Sequence, residues 1–355
     1  MKFLILASFL LAEVAGGQSI IGLGDEWSAA TSVNADGSMV AGYGNSQAFR
    51  WVRGSGKQNL GFLPVTTTSF ARGISGDGSM VVGGSYNSTE GRAFRWSATG
   101  GMESLGIFSG DTYSDASRIS SDGAFVVGAS GNSAFRWSAG SGLQNLGLLS
   151  GAASSYAHGV NADGTVVVGD SGDQAFRWQV SQGMQSLHGS LGRNVSAAYA
   201  VSADGSVVVG EAADSWTSRG ETFRWTPSGG AQMLGKLGGD TFSFPNAISA
   251  DGETIVGQSL LVINSLQNQS RAFVWKASIG MVELGAFLGN EGVDTSGWNF
   301  TEAFDISADG RTIVGRGNFN GTSQAFVAQV PEPSSLSLLL AGGAVLMAGR
   351  RLRRV

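Results

Sequence analysis

The chain repeats one short pattern seven times: an Asp-Gly pair followed by a run of small and branched apolar residues. Clear copies are NADGTVVVG from Asn161, SADGSVVVG from Ser202 and SADGETIVG from Ser249. The pattern recurs at intervals of 41, 45, 41, 41, 47 and 58 residues. A near-constant period of this length indicates equal structural units stacked side by side. The turn aspartates are Asp36, Asp77, Asp122, Asp163, Asp204, Asp251 and Asp309.

Each unit contains the signals for four strands. The Asp-Gly pair predicts a tight hairpin, because it supplies the pair of positive φ angles that such a turn needs. A VVG strand follows, then a segment of AFRW type, then a segment that ends in Leu-Gly, such as KQNLG or MESLG. The 56 glycines of the chain suit the turns and strand ends of a many-stranded protein. Four strands in 41 to 47 residues are typical of a β-propeller blade.

The AFRW segments predict how neighbouring units pack. Side chains alternate along a strand, so Phe and Trp lie on one face and Ala and Arg on the other. An aromatic pair against a small residue suits stacked blades. We expect the arginine stems to pack on a neighbouring blade and their heads to meet turn carboxylates or strand-end carbonyls. An anion-binding ring is the alternative for Arg50, Arg95, Arg136, Arg177 and Arg224.

The seventh unit lacks its last strand. It stops after AFVAQV, whereas an unassigned SIIGLG at residues 19–24 precedes the first unit. A strand from the start of the chain can complete the last blade and remove the open edge of the ring. We therefore predict an all-β, seven-bladed propeller over residues 18–330, closed by an N-terminal strand. An open solenoid of seven hairpins is the alternative.

Both ends of the chain carry targeting signals. Residues 1–17 combine Lys2, an apolar run and a small-residue exit, which is typical of a secretory signal peptide removed by signal peptidase. Residues 334–349 are uncharged and predict a single apolar helix of about 24 Å, short of the roughly 30 Å hydrocarbon core. Four arginines follow and would stay in the cytoplasm, leaving the body outside. They are Arg350, Arg351, Arg353 and Arg354.

The tail resembles the PEP-CTERM sorting signal of Gram-negative bacteria. Residues 331–355 contain Pro331, Glu332 and Pro333, then the apolar segment and then the arginines, in the order of that signal. The resemblance implies processing by an exosortase, a membrane transpeptidase-like protease, near the Pro-Glu-Pro. It also implies transient anchoring in the inner membrane before transfer to the cell surface or extracellular matrix.

The repeats of residues 19–330 resemble the HAF family of extracellular repeats, which carry the pattern S-x-D-G-x-x-V-V-G, then AF-R-W, then LG. The resemblance implies extracellular placement and no particular activity. Charge agrees with this reading, because the total of −5 includes +3 from residues 331–355 and leaves −8 on the body. An acidic body argues against nucleic acid as a partner.

No segment predicts a catalytic, cofactor or metal site. The stretch GDSGD resembles a serine-protease nucleophile loop, but Asp173 replaces its final Gly, and neither His158 nor His188 lies far upstream. We expect both histidines in loops or at strand ends. The turns lack the spacing of a sialidase Asp-box and of calcium-binding loops, and the chain has no Cys. We therefore expect a protein that is not an enzyme.

Insertions in the later units predict where a binding surface would lie. The segments are 211–221, 258–271 and 289–302, and insertions on a repeat scaffold often mark its functional face. Trp216, Trp298 and Phe300 are aromatics outside the repeat pattern that suit stacking on sugar rings. The leading hypothesis is a secreted, non-catalytic repeat scaffold. A glycan-binding propeller that contacts extracellular polysaccharide is the second hypothesis, and a propeller glycoside hydrolase is the third.

Overall fold

The computed structural model describes residues 20–24, 26–215, 220–264 and 267–331. Within these ranges, 28 strands form seven antiparallel sheets of four strands each. Six sheets contain strands that follow one another in the chain, and the seventh has the order β1-β28-β27-β26. The prediction of a seven-bladed propeller closed by an N-terminal strand is confirmed, and the open solenoid is wrong.

Blades are numbered in chain order, and the strand given first lines the central channel. Blade one comprises β2 (Ala29–Val33), β3 (Met39–Gly44), β4 (Gln47–Val52) and β5 (Gly56–Gly61). Blade two comprises β6 (Thr68–Ile74), β7 (Met80–Tyr86), β8 (Gly91–Ser97) and β9 (Gly101–Gly106). Blade three comprises β10 (Ser114–Ile119), β11 (Phe125–Ser130), β12 (Ser133–Ser138) and β13 (Gly142–Asn145). Blade four comprises β14 (Ser155–Val160), β15 (Val166–Ser171), β16 (Gln174–Gln179) and β17 (Gly183–Ser186).

The longest strands lie in blades six and seven. Blade five comprises β18 (Val195–Val201), β19 (Val208–Ala213), β20 (Glu221–Thr226) and β21 (Gly230–Gly235). Blade six comprises β22 (Phe242–Ile248), β23 (Thr254–Asn264), β24 (Gln267–Lys276) and β25 (Gly280–Glu283). Blade seven comprises β26 (Trp298–Ile306), β27 (Thr312–Phe319), β28 (Thr322–Gln329) and β1 (Ile20–Gly22). A 3-10 turn at His188–Ser190 and a helix, α1 (Leu284–Asn290), lie between blades.

The Asp-Gly turns join the first and second strands of every blade. All seven turn glycines have φ between 72 and 74°. The expected pair of positive φ angles is wrong, because no turn aspartate shares this conformation. The hydrogen-bonded turn precedes the glycine, with the Gly78 N–H donating to the Ser75 carbonyl at 2.9 Å. The aspartate instead ties the turn together: Asp77 Oδ1 accepts from the Ser75 hydroxyl at 2.6 Å and the Ser79 N–H at 2.9 Å.

The AFRW segments pack between blades as their alternation predicts. Phe94 and Trp96 of blade two pack on Ala41 and Ala48 of blade one. Burial of each such side chain stabilises the folded state by about 1.5–3 kcal/mol. The equivalent phenylalanine is buried in all seven blades, as Phe49, Phe94, Phe135, Phe176, Phe223, Phe273 and Phe326.

Arginines of these segments contact the next Asp-Gly turn. The Arg136 guanidinium donates to the Gly164 carbonyl at 2.8 Å, and Arg177 donates to the Gly205 carbonyl at 3.0 Å. Arg50 makes the equivalent bond at 3.4 Å. These three heads therefore contact the neighbouring blade as predicted, but the acceptor is the carbonyl of the turn glycine and not a turn carboxylate or a strand-end carbonyl.

A ring of backbone hydrogen bonds joins the seven Asp-Gly turns. The Ala35 N–H donates to the Gly76 carbonyl at 3.0 Å, and Ala308 of the last blade donates back to Ala35 at 3.2 Å. In blade three the donor is Asp122, which bonds to Ala162 at 3.3 Å. Because backbone atoms of successive turns are within hydrogen-bond distance around the whole ring, this end of the channel, here called the turn face, is the narrow end, and its ring members are all small. They are Ala35, Gly76, Ser121, Ala162, Ala203, Ala250 and Ala308.

The N-terminal strand closes the ring on blade seven. Strand β1 pairs antiparallel with β28, and Ile20 lies opposite Ala328. The Ile20 side chain belongs to the core cluster of blades six and seven and is 8% exposed. Beside this strand, the Ala325 N–H donates to the Ser28 hydroxyl at 3.0 Å, which binds blade seven to blade one.

Several predictions concern residues outside the described ranges. They are the signal peptide at residues 1–17, the apolar helix at residues 334–349, the sorting residues Glu332 and Pro333, the four terminal arginines and Trp216. In the part of the chain that the structure describes, no helix is long and apolar enough to cross a membrane.

Candidate functional site

Each innermost strand contains a β-bulge five residues before its turn aspartate. A bulge leaves one residue unpaired in the ladder and changes the direction of its side chain. All seven bulged residues line one cavity of about 260 Å³ at the wide end of the channel. We name them the mouth ring: Thr31, Arg72, Ser117, His158, Tyr199, Asn246 and Phe304.

The mouth ring differs from the rest of the repeat in its residue choice. Its seven positions carry seven different residue types, whereas the buried AFRW position is Phe in every blade. Ring members at the turn face are only Ala, Gly or Ser. Equivalent positions with a purely structural role face the same packing demand in every blade and keep similar residues. The variety at the mouth therefore shows that these positions are free of the packing constraint that keeps the AFRW phenylalanine the same in every blade.

A second set of residues lies on the strand next to each mouth-ring residue, and in blades four and five it bonds directly to the mouth ring. It follows the VVG glycine, twelve residues after each mouth-ring position, and again every residue type differs. His158 Nε2 lies 2.6 Å from Asp170 Oδ1, and the Tyr199 hydroxyl donates to Glu211 Oε1 at 2.6 Å. We name this set the support ring: Tyr43, Gly84, Ala129, Asp170, Glu211, Gln258 and Arg316.

His158 corrects an expectation from the sequence. It lies in a bulge within β14 and not in a loop or at a strand end, because the extra residue interrupts the ladder between Ala157 and Gly159. His188 does lie in a short 3-10 turn. The histidine at the mouth is thus held by backbone geometry as well as by Asp170.

Charged groups around the mouth are engaged by neighbours. Arg72 Nε lies 2.7 Å from Asp115 Oδ2 of the next blade. Arg118 donates to the Arg72 carbonyl at 2.6 Å. Burial raises the pKa of the Glu211 carboxyl, and burial together with Glu211 raises the pKa of Tyr199, so this tyrosine stays protonated and donates. The mouth thus presents hydrogen-bonding groups of fixed orientation.

Below the mouth ring, the innermost strands enclose a cavity of about 180 Å³ that ends at the turn face. Its walls carry Val33, Ile74 and Ile306 beside the small residues of the turns. The channel therefore narrows from a polar, varied entrance to a small-residue end.

The three insertions differ in where they lie relative to the mouth. Segments 211–221 and 258–271 include the connections between the second and third strands of blades five and six, opposite the Asp-Gly turns. Strands β23 and β24 form the longest of these hairpins. Segment 289–302 begins near the turn face, where Glu291 lines a cavity with Asp309 and Arg311, and then leads into the first strand of blade seven. Among the described strands, the long hairpin of blade six therefore extends furthest on the mouth face.

The aromatics predicted to contact a ligand occupy different environments. Phe300 is 2% exposed and lies beneath Trp298, with ring centroids 5.6 Å apart, and against Phe326 at 4.9 Å. Its assignment as a ligand contact is wrong in this arrangement, since core packing covers the ring. Trp298 is partly buried and also stacks near Phe319, at 5.1 Å. Its contact with a ligand stays a prediction, as does that of Trp216.

Within the described ranges, no group of three or more His, Asp or Glu side chains could hold a metal ion.

Comparison with known proteins gives one sequence match and many fold matches. Residues 329–354 match the PEP-CTERM protein-sorting motif. Among curated proteins, none matches the chain. The oligogalacturonate lyase of Vibrio parahaemolyticus has a similar structure, with TM-score 0.58 and 11% identity over 88% of this chain and 94% of that one.

Two other solved structures show the same likeness. An oligogalacturonate lyase in complex with manganese has TM-score 0.55 and 12% identity over 88% of this chain and 93% of that one. The WD40 β-propeller domain of Doa1 has TM-score 0.54 and 14% identity over 89% of this chain and 97% of that one. At these identities the likeness shows the fold alone.

Proposed function

We propose that this chain is an exported, exosortase-processed surface or matrix protein, and that its propeller is a non-catalytic binding body that holds its mouth away from the membrane. The PEP-CTERM match at residues 329–354 supports export and membrane-anchored processing. The resemblance of the repeats to HAF proteins supports extracellular placement.

One observation carries the proposal: both ends of the propeller leave from the turn face. Ile20, the first described residue, lies opposite Ala328 near the end of β28. At the other end of the chain, the Val330 N–H donates to the carbonyl of Arg311, a residue of the seventh Asp-Gly turn. Both membrane-directed segments therefore attach to the narrow end, and the mouth ring lies on the opposite face.

Only a few residues connect the propeller to the apolar segment, and this limits how far the turn face can lie from the membrane. Only residues 330–333 separate the last strand from the apolar segment at residues 334–349. Four residues span at most about 14 Å when fully extended. While the tail is anchored, the turn face stays close to the membrane and the mouth is open to larger partners.

The mouth chemistry supports binding better than catalysis. Glu211 is buried beneath the Tyr199 hydroxyl, and Asp170 holds His158. These acids orient their neighbours, whereas a hydrolase needs a pair of carboxyl groups on either side of the bond to be cut. The lyase activity of the structural neighbours supplies no catalytic residues to this chain, because the likeness is one of fold.

Processing is tested in a Gram-negative host with and without an exosortase. With the enzyme, an antiserum against the propeller is expected to detect a chain shortened by about 20 residues outside the membrane fraction; the apolar and basic tail spans residues 334–355. Without the enzyme, the full-length chain should stay in the membrane fraction. As a control, alanine at Pro331, Glu332 and Pro333 together should retain the full-length chain in both hosts. Equal size and distribution of the parent chain in the two hosts would contradict the proposal.

A further inference from the structure

A groove beside the mouth ring extends the candidate site between blades two, three and four. It encloses about 410 Å³ and shares Arg72, Ser117 and His158 with the mouth. Its other side chains include three tyrosines and Asp115. This groove lies on the mouth face, on the side away from the long hairpin of blade six, so it is open to a ligand that enters the mouth.

The three tyrosines give the groove an aromatic lining: Tyr86, Tyr113 and Tyr156. Tyr113 is 44% exposed, and its backbone is fixed because its carbonyl accepts from the Gly131 N–H at 2.9 Å. Tyrosine combines an apolar ring face with a polar hydroxyl at low conformational cost. Such rings match a sugar, which presents C–H groups on its faces and hydroxyls around its edge.

Glycines of blade two make room for this lining. At Gly91, a β-carbon would lie 2.8 Å from Cδ1 of Tyr113 and would overlap the Tyr86 ring. Gly84 is the support-ring member of this blade, and a β-carbon there would overlap the Tyr86 hydroxyl. Blades four and five carry Asp170 and Glu211 at the same position. In blade two, a tyrosine therefore occupies the space where blades four and five have an acid.

The charges of the groove favour an uncharged ligand. Arg72 is paired with Asp115 at 2.7 Å, and His158 is paired with Asp170 at 2.6 Å. A charged ligand would have to break one of these pairs, or else enter the groove without an oppositely charged partner. Sugar hydroxyls can instead bond to the outer edges of these planar side chains and leave each pair intact.

We infer that the groove of Arg72, Tyr86, Tyr113, Asp115, Tyr156 and His158 binds a neutral oligosaccharide, with a sugar ring on Tyr113 and hydroxyls on the Arg72–Asp115 pair. This inference rests on the proposed function, since it names the ligand class of the mouth. It places the glycan site on blades two to four, opposite the insertions of the later blades.

The test uses the full-length chain in detergent. An array would carry neutral glucan, mannan and galactan oligosaccharides beside acidic polygalacturonate fragments. Affinities for the best binder would then be measured by calorimetry for the parent and its variants. We expect binding to a neutral oligosaccharide, a loss of at least about tenfold in affinity for Tyr113→Ala, and near-parental affinity for Tyr113→Phe, which keeps the ring.

A matched control is Phe62→Ala. Phe62 is exposed to a similar extent, 42%, but follows the last strand of blade one and lies outside the groove. The affinity of the Phe62→Ala variant for the oligosaccharide should equal that of the parent. Thermal unfolding of each variant would show that the fold is intact.

Three outcomes would overturn the inference. Tight binding of acidic fragments only would show that the mouth binds ligands but that the neutral class is wrong. Unchanged affinity for Tyr113→Ala would remove the groove from the site. Absence of binding to every oligosaccharide would remove the glycan itself, whereas the exosortase experiment would still decide whether the chain is exported and processed.

Discussion

Replacing residues 19–24 with a Gly-Ser sequence of equal length is expected to lower the free energy of unfolding by at least about 3 kcal/mol. The change removes the buried Ile20 side chain and leaves β28 paired only with β27, so that its outer edge is open. An unpaired edge strand is also a template for pairing with another chain. Chemical unfolding should therefore show the loss of stability, and sedimentation should show concentration-dependent association.

A circular permutant is the matched control for strand closure. It begins at residue 26 and joins residue 330 through a short linker to residues 18–24. Because Ile20 lies opposite Ala328, the linker forms a hairpin and β1 regains its place. The permutant should recover most of the lost stability and remain monomeric. A Gly-Ser variant as stable and monomeric as the parent would show that β1 does not close the ring.

The substitution Gly169→Ala is expected to destabilise the protein by about 3 kcal/mol. A β-carbon at this position would overlap the Tyr156 carbonyl oxygen of the neighbouring strand and lie 2.8 Å from the Phe176 ring. Neither backbone nor buried ring can move without separating β14 from β15. The glycine of every VVG strand is confined in the same way by a carbonyl, at Gly42, Gly83, Gly128, Gly169, Gly210, Gly257 and Gly315.

Gly140→Ala is the control for this effect. Gly140 is exposed, has no neighbouring atom within 4 Å of the added carbon and does not have a positive φ. Its stability should stay within about 0.5 kcal/mol of the parent. Thermal unfolding of both variants measures the difference, and equal midpoints for Gly169→Ala and the parent would refute the close approach of the two strands.

The architecture could be predicted from the repeat because each blade has the same turn, strand and packing residues. Seven copies of a hairpin and a missing strand at one end determine the number of blades and the closure. The alternation of side chains along the AFRW strand is enough to predict that its phenylalanine is buried. The backbone conformation of the Asp-Gly turns could not be predicted in the same way, because an Asp-Gly pair fits several turn types. Only the hydrogen bonding in the structure shows which residue takes the positive φ.

The mouth ring was missed for a different reason. The repeat is defined by positions that stay the same, whereas the mouth ring occupies positions that vary. In addition, a bulge in β14 cannot be predicted from the sequence of one unit. Aligning the units on their turn aspartates and asking which position never repeats would have identified Thr31, Arg72 and their equivalents. Phe300 was misassigned because its insertion has no copy in other blades, so no periodicity separated a buried ring from an exposed one.

The orientation of the anchored propeller is tested most directly by fluorescence quenching in vesicles. The chain contains no Cys, so Ser79→Cys and Ser88→Cys each supply one labelling site, at opposite ends of β7 in the same blade. Seven residues of strand separate the two labels by about 23 Å. The labelled full-length chain is placed in vesicles whose lipid headgroups carry a nitroxide quencher. Stronger quenching at residue 79, on the turn face, is the predicted result; equal quenching, or stronger quenching at residue 88 on the mouth face, would contradict a mouth held away from the membrane.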